Sequence, residues 1–408
     1  MVNQDVYNAF AGPAGHVFIN SGLLTAMDNE AELAGILGHE ISHVACRHIS
    51  ESIERSGKIQ WGTLAGVMAG ILLGAAGNGT ASEALIVSSV AAGQSAFLAY
   101  SREDEREADE KGVKALISAG YPVQGLLTML RKIKDRDWYG DDIPSYLGTH
   151  PAVDERIVYL SRFLDVNEEK APVAEQRPEP DFELAHARVL AFYGNTTEAS
   201  AWFEVQAKKE PESHIPDYGL GMLALRENRL TEAKTYLKKV LEKRALDPLV
   251  LADLGQVYFM GGEYEEALGL LEPAVRIDTE NFDGRLFLGR TQLAMENYAG
   301  AQFTFERLYA DAPDYFHALY YLGEAFDKQG KTAESHHYLG RYYLETGDSR
   351  KAVFNLKRAR KEAEDDALVE KIDGALEEAE KNEEEREKKE KEERERQEEE
   401  KSEGGQQW

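Results

Sequence analysis

Small residues recur every 34 positions through the second half of this chain: Ala187, Gly221, Gly255, Gly289 and Gly323. Twelve positions after each stands a second small residue (Ala199, Ala233, Ala267, Ala301, Ser335), and four beyond that a large apolar one (Phe203, Leu237, Leu271, Phe305, Leu339). A period of this length is one helix–turn–helix unit, with small side chains where two helices must come close. One such unit cannot bury its own apolar face, so units stack on their neighbours. Five registers in step, without an insertion, confine residues 183–361 to an α-solenoid. Gly340 and Ala352 repeat the twelve-residue offset and predict a sixth, closely spliced helix pair.

Helix pairs of this length and patterning follow the tetratricopeptide pattern. On either side of them the composition changes. Residues 362–408 are dominated by Glu, Lys and Arg, which predicts a charged helical or disordered tail. A Pro- and Glu-rich stretch predicts a linker at 166–182, leaving 1–165 as a separate domain. The net charge of −27 excludes nucleic acid as a partner, because neutralising phosphates takes a basic surface. Cys46 is the single cysteine, so neither an internal disulfide nor a cysteine-based zinc site can form. Two apolar stretches, 61–77 and 84–100, are each at or below the length that spans a bilayer. They read as a buried helical hairpin, with a flap or peripheral membrane contact as the alternative. The chain shows no signal peptide and opens inside what reads as structure, so an export signal and a first helix are expected upstream.

Within 1–165, residues 6–20 read as a β-hairpin, two β-prone runs around Gly12-Pro13-Ala14-Gly15. Asn29 and Glu32 form a capping-box pair at the head of the next helix. Leu33, Ile36, Leu37, Ile41 and Val44 follow at helical spacing, which predicts a core face and leaves the other side to a cleft. That other side carries His39-Glu40-Ile41-Ser42-His43. Two histidines four apart on a helix point the same way, and a zinc hydrolase needs three protein ligands and one open position. HExxH supplies two. The metzincin spacing for a third fails, because Cys46 and Ile49 stand where Gly and His are needed. His48 is one place out and, on a continuing helix, turned away, so it reads as a helix-end histidine. A second, highly charged helix begins near Ser101 and places Glu105 and Asp109 four apart. One of these can bind metal while the other accepts the remaining N–H of a ligand histidine. A helix over 122–135 and a loop containing Thr149-His150-Pro151 complete the domain.

These segments resemble the zinc metallopeptidases related to the CAAX prenyl protease (metallopeptidase family forty-eight). The matching motifs are His39 to His48, Ser101-Arg102 through Asp109, Asn8-Ala9-Phe10, Gly15-His16, Gly22-Leu23-Leu24, and Thr149-His150-Pro151 with Arg156. The likeness is to the soluble BepA-like bacterial branch, which joins this domain to tetratricopeptide repeats, and it extends nearly to the charged tail. It implies a mainly α protein: a gluzincin-type α+β metalloprotease domain, helices plus a small β-hairpin, followed by the solenoid. It implies one Zn2+ held by His39, His43 and Glu105, with Glu40 as general base and Asp109 behind a ligand histidine. His150 would lie in a loop that reaches the open metal position, as a latch or as a transition-state donor. Arg156 would support the oxyanion, and Asn8, Ala9 and Phe10 would offer a strand edge to an extended substrate.

The function expected from this is a zinc endopeptidase cleaving unfolded or misassembled proteins in cell-envelope quality control. It would be periplasmic or envelope-associated, with the repeat groove recruiting clients and protein partners. The alternative is a chaperone or scaffold for envelope protein assembly with a latched or idle metal site. Glu40 favours the enzyme, since a scaffold has no use for that base. A membrane-embedded prenyl-peptide protease is disfavoured by the lack of long apolar spans.

Overall fold

The computed structural model describes residues 1–51, 100–138, 145–166 and 180–404, which form two compact units, Met1–Arg229 and Leu230–Trp408. The stretch 61–77, all of 84–100 except Tyr100, the linker positions 167–179, and Gly140 and Pro144 lie outside the described residues. Among the described residues, no helix is long and apolar enough to cross a membrane.

The first unit opens with the hairpin. Strands β1 (Ala9–Ala11) and β2 (Val17–Ile19) pair antiparallel, Ala9 opposite Ile19 and Ala11 opposite Val17. The strands are short because Pro13 lacks a donor and Gly15 turns at φ 85°. Two helices follow, α1 (Ser21–Thr25) and α2 (Glu30–Ala45). Asn29 caps α2 by accepting from the Glu32 N–H, but the Glu32 carboxylate takes the Asp28 N–H and the Lys132 ammonium instead of the reciprocal bond. Four more helices complete this part: α3 (Arg102–Ala119), α4 (Gln124–Trp138), α5 (Ser145–Thr149) and α6 (Val153–Val166). Ser101 and Asp104 close a full capping box on α3, and Gly120 ends it at φ 78°. Helix α4 begins two residues after Pro122, so that proline precedes the helix instead of opening it.

Helices α2 and α4 meet backbone to backbone. A Cβ at Gly35 would stand 2.5 Å from the Leu126 nitrogen, and one at Gly125 would stand 2.0 Å from the Ala31 carbonyl oxygen. Around this contact Leu23, Met27, Ile36, Leu116, Leu126, Leu130, Ile133, Tyr146 and Leu160 form the core. One expectation about α2 is overturned. Ile36 is buried, but Ile41 is 54% exposed, while His39, Glu40 and His43 are fully buried. The histidine side of α2 faces inward because α3, α5 and α6 supply its polar partners there.

Helices α7 (Pro180–Tyr193), α8 (Thr196–Lys209) and α9 (Ile215–Arg226) finish the first unit. His186 on α7 stands 3.4 Å from the Thr25 carbonyl oxygen at the end of α1, which ties the first repeat to the hairpin domain.

The second unit begins with α10 (Leu230–Lys243), α11 (Pro248–Met260), α12 (Tyr264–Ile277), α13 (Phe282–Ala294) and α14 (Tyr298–Asp311). It ends with α15 (His317–Lys328), α16 (Thr332–Glu345), α17 (Ser349–Glu362) and α18 (Asp366–Gly404). The periodic residues meet as the pattern requires: Gly255 against Leu271, Gly289 against Phe305, Gly323 against Leu339. Gly340 against Leu356 repeats the same contact, which places α17 on α16. The charged tail is a helix, and its first half is core: Ile372 and Ala379 are buried with Ala352, Leu356 and Ala359.

Candidate metal centre

Four side chains converge inside the first unit. His39 and His43 project from one face of α2, one turn apart, and their Nε2 atoms lie 3.0 Å from each other. Glu105, from the first turn of α3, places Oε2 3.5 Å from His39 Nε2 and Oε1 3.3 Å from His43 Nε2. His150, which follows α5, brings Nδ1 to 3.0 Å from Glu105 Oε1 and 3.4 Å from His39 Nε2. All four are buried, and their donor atoms fall within 4.8 Å of one another. Ligand atoms on a tetrahedral ion with bonds of about 2.0–2.2 Å sit about 3.3–3.6 Å apart. The separations here come close to that, so the donor set fits a divalent cation. Glu40 supports the same fit: it is buried, neither oxygen has a hydrogen-bond partner among the described residues, and His150 Nε2 is 3.5 Å away. A bare buried carboxylate is costly unless a ligand or water completes it.

Behind the four donors lies a layer of supports. His39 Nδ1 donates to Asp109 Oδ1 at 2.9 Å, which fixes the tautomer that leaves Nε2 free. Arg156, on α6, gives Nε and Nη2 to the two Asp109 oxygens, both at 2.8 Å, and Nη1 to Glu105 Oε2 at 2.6 Å. Burial pushes both acids up, but the Arg156 guanidinium and the histidine contacts outweigh it. Asp109 is held down to about 2 and Glu105 well below the usual carboxylate range. Burial holds His43 down to about 2. Burial and Arg156 oppose a charge on His39 too, yet bonds to Asp109 and Glu105 raise it to about 9. The two adjacent imidazoles thus carry a single positive charge between them at neutral pH, on His39, and a divalent cation would displace that extra proton.

The structure brings His39, Glu40, His43, Glu105, Asp109, His150 and Arg156 together. The Arg156 donors lie on the Asp109 and Glu105 carboxylates, and Nη2 is also 3.2 Å from His39 Nδ1 and 3.3 Å from His39 Nε2. One expectation changes. His48 does not turn away. Helix α2 ends at Ala45, Arg47 takes φ 61°, and the chain folds back so that His48 Nδ1 lies 2.9 Å from His43 Nδ1. Its Nε2 faces Glu107 at 3.4 Å. Asn8, Ala9 and Phe10 flank the centre, where His150 Nε2 donates to the Ala9 carbonyl at 3.2 Å and Asn8 is buried.

Sequence reasoning also missed two aromatics. Tyr100 stacks on His43 with ring centroids 3.7 Å apart, and Tyr146 stacks on His150 at 4.3 Å. Tyr146 is four residues before His150, a spacing that could have drawn attention to it. Nothing in the sequence marks Tyr100.

The chain is similar to known proteins in both of its parts. Residues 1–163 match the model of peptidase family M48, and residues 224–290 and 259–320 match a tetratricopeptide repeat model. The chain is 28% identical over 336 residues to the beta-barrel assembly-enhancing protease of Escherichia coli (strain K12), covering 73% of this chain and 67% of that protein. It is 32% identical over 162 residues to the mitochondrial metalloendopeptidase OMA1 of Arabidopsis thaliana, covering 40% of this chain and 30% of that one. It is 30% identical over 171 residues to the metalloprotease YcaL of Escherichia coli (strain K12), covering 39% and 61%.

Proposed function

From a chain whose residues 1–163 are a peptidase family M48 metallopeptidase domain, with tetratricopeptide repeats behind it, we propose a zinc endopeptidase that cleaves unfolded or misassembled proteins of the cell envelope. The observation that carries the proposal is the convergence of His39, His43, Glu105 and His150 beside a partnerless Glu40. In this reading His39, His43 and Glu105 hold one Zn2+, the ion that suits two imidazoles and a carboxylate. When bound, zinc supplies a Lewis acid that polarises a carbonyl and acidifies a water.

The residues of the chain do the rest. Glu40, bare and buried, takes the proton of a water that attacks a peptide carbonyl, then hands it to the leaving nitrogen. Asp109 keeps His39 in the correct tautomer, and Arg156 keeps Asp109 and Glu105 ionised and in place. Strand β1 offers backbone groups from Asn8 to Phe10 to an extended substrate, which selects unfolded segments over compact domains. The helix pairs beyond the linker hold clients near the centre, raising their effective concentration. The E. coli relative's name, beta-barrel assembly-enhancing protease, supports envelope clients and a periplasmic or envelope-associated setting.

A second reading has one observation in its favour. His150 stands at the fourth corner of the donor set and on the Ala9 carbonyl, both of which a substrate would need. That arrangement suits a latched centre in a protein acting mainly as a chaperone or scaffold. Casein digestion by the zinc-loaded chain, compared with Glu40→Gln, separates the two. The peptidase reading expects cleavage that falls by about a thousandfold or more in the variant. Equal inertness of both proteins, with unfolded client still bound, overturns it in favour of the scaffold.

A further inference from the structure

Arginines cluster where this chain, at −27, would least be expected to gather positive charge. A cavity of about 250 Å³ opens between α3 and α6, and its lining includes Arg156 and Asp109 but none of the four donors. Arg102 and Arg106 from α3 and Arg156 and Arg162 from α6 line it, against only Asp109 and Glu155. The pairing is uneven. Arg156 is committed to Asp109 and Glu105, and Arg102 to Glu155 at 2.6 Å. Arg106 makes one long contact to Glu110, 3.4 Å, with 72% of its side chain exposed. Arg162 makes no ion pair among the described residues. Tyr159 also lines the cavity, and the Arg106 guanidinium lies 5.8 Å from its ring centre.

We propose that this cavity is an anion site that takes a phosphate group, held by the surplus guanidiniums of Arg106 and Arg162. A guanidinium presents a planar fork of donors that matches phosphate oxygens two at a time, and two forks from two helices can grip one phosphate. The volume is several times the ~30 Å³ share of a single water, so a phosphate enters without rearrangement of the helices. The buried Arg156 fixes the floor, its charge spent on Asp109 and Glu105, and Glu155 is paired with Arg102, so the anion is left to Arg106 and Arg162. Phosphate can come from a free phosphate or phosphomonoester, or from the headgroup of an anionic lipid. The second source would seat the peptidase unit on a membrane surface with the cavity facing the lipid.

The test uses the metal-loaded full chain. Calorimetric titration with inorganic phosphate, against chloride at equal ionic strength, is run beside flotation with phosphatidylglycerol-containing and pure phosphatidylcholine vesicles. The variants are Arg106→Gln with Arg162→Gln, and, as a control for net charge, Lys208→Gln with Lys209→Gln on α8. Phosphate binding that weakens about tenfold or more in the arginine variant and not in the lysine variant supports the site. If flotation on the anionic vesicles follows the same pattern, the source is lipid. If phosphate binds and no vesicle floats the protein, the source is a soluble phosphate. No phosphate binding together with no selective flotation overturns the proposal, as does an equal loss in both variants.

Discussion

At the scale of single residues, the centre divides into donors and the groups that aim them. Glu105 touches both Nε2 atoms, whereas His48 touches only the rear nitrogen of His43. If a cation binds His43 through Nε2, Nδ1 carries a proton and donates it to His48 Nδ1, and His48 in turn donates from Nε2 toward Glu107. The two residues should therefore fail differently. Glu105→Gln should cost most of the zinc found by elemental analysis even with zinc in excess. His48→Ala should keep one zinc per chain at saturation but lose it about 10–100-fold more readily to a chelator. Equal zinc retention by Glu105→Gln and wild type would remove Glu105 from the ligand set. His150 makes a third case: as a latch, its replacement by Ala should raise casein cleavage, and complete loss of activity would mark it as catalytic instead. His39 and His43 were marked by helical spacing and chemistry, whereas the choice of Glu105 over Asp109, and His150, came only with the family resemblance. His48 was not legible, because its role follows from one αL residue, Arg47, that turns the chain back where a continuing helix was expected. Arg156 was named only through the resemblance, and its bonds to Asp109 and Glu105 depend on where α6 packs.

At the scale of elements, the sequence pattern did well where one period governs packing and poorly where a helix has two demanding faces. The 34-residue repeat located helix contacts correctly, from Gly255 on Leu271 through Gly340 on Leu356, since a close approach leaves room for nothing larger. On α2 the apolar stripe held at Leu33, Ile36 and Leu37, which pack in the core, but Ile41 faces out and the histidine side expected to face a cleft is buried as well. Buried polar positions also appear among the repeats. His337 on α16 is 3% exposed, and its Nδ1 has no hydrogen-bond partner among the described residues. Burial, helped by the charges of Arg341 and Lys371, pushes it down to about 4. The unfolded chain, with an ordinary pKa near 6.5, then binds the proton first as the pH falls. The stabilising effect of the neutral ring is complete above pH ~6.5 and lost progressively down to pH ~4, so this helix weakens in acid. Between pH 7 and pH 5 the loss should be about 2 kcal/mol. Hydrogen exchange of the α16 and α17 amides, corrected for intrinsic rate, should show that loss in wild type and much less in His337→Gln. The same acid sensitivity in both proteins would show that other groups control it.

At the scale of the whole molecule, a solenoid must end somewhere, and its last apolar face needs a cover. The composition from residue 362 onward suggested only a solvated tail, because charge dominates the average and hides a sparse apolar stripe. In the structure Ile372 and Ala379, with Leu368, Ala375 and Leu376 partly buried beside them, close the face of α17 made by Ala352, Leu356 and Ala359. Glu383 then accepts from Ser349 at 2.6 Å and is held by Arg386, which keeps its carboxyl down at about 2 and pins α18 at that point. A chain ending at residue 388 keeps these contacts and should therefore melt as the full chain does, while one ending at residue 365 should lose the cover altogether. Burying one large aliphatic side chain is worth about 1.5–3 kcal/mol, so removing Ile372 and its neighbours should lower stability by several kcal/mol at most, offset by the order no longer imposed on α18. The exposed Leu356 face should also self-associate, visible as a shift to dimer in sedimentation at micromolar concentration. If both truncations melt and sediment alike, the apolar stripe of α18 carries no stability, and the acidic helix is after all a solvated extension.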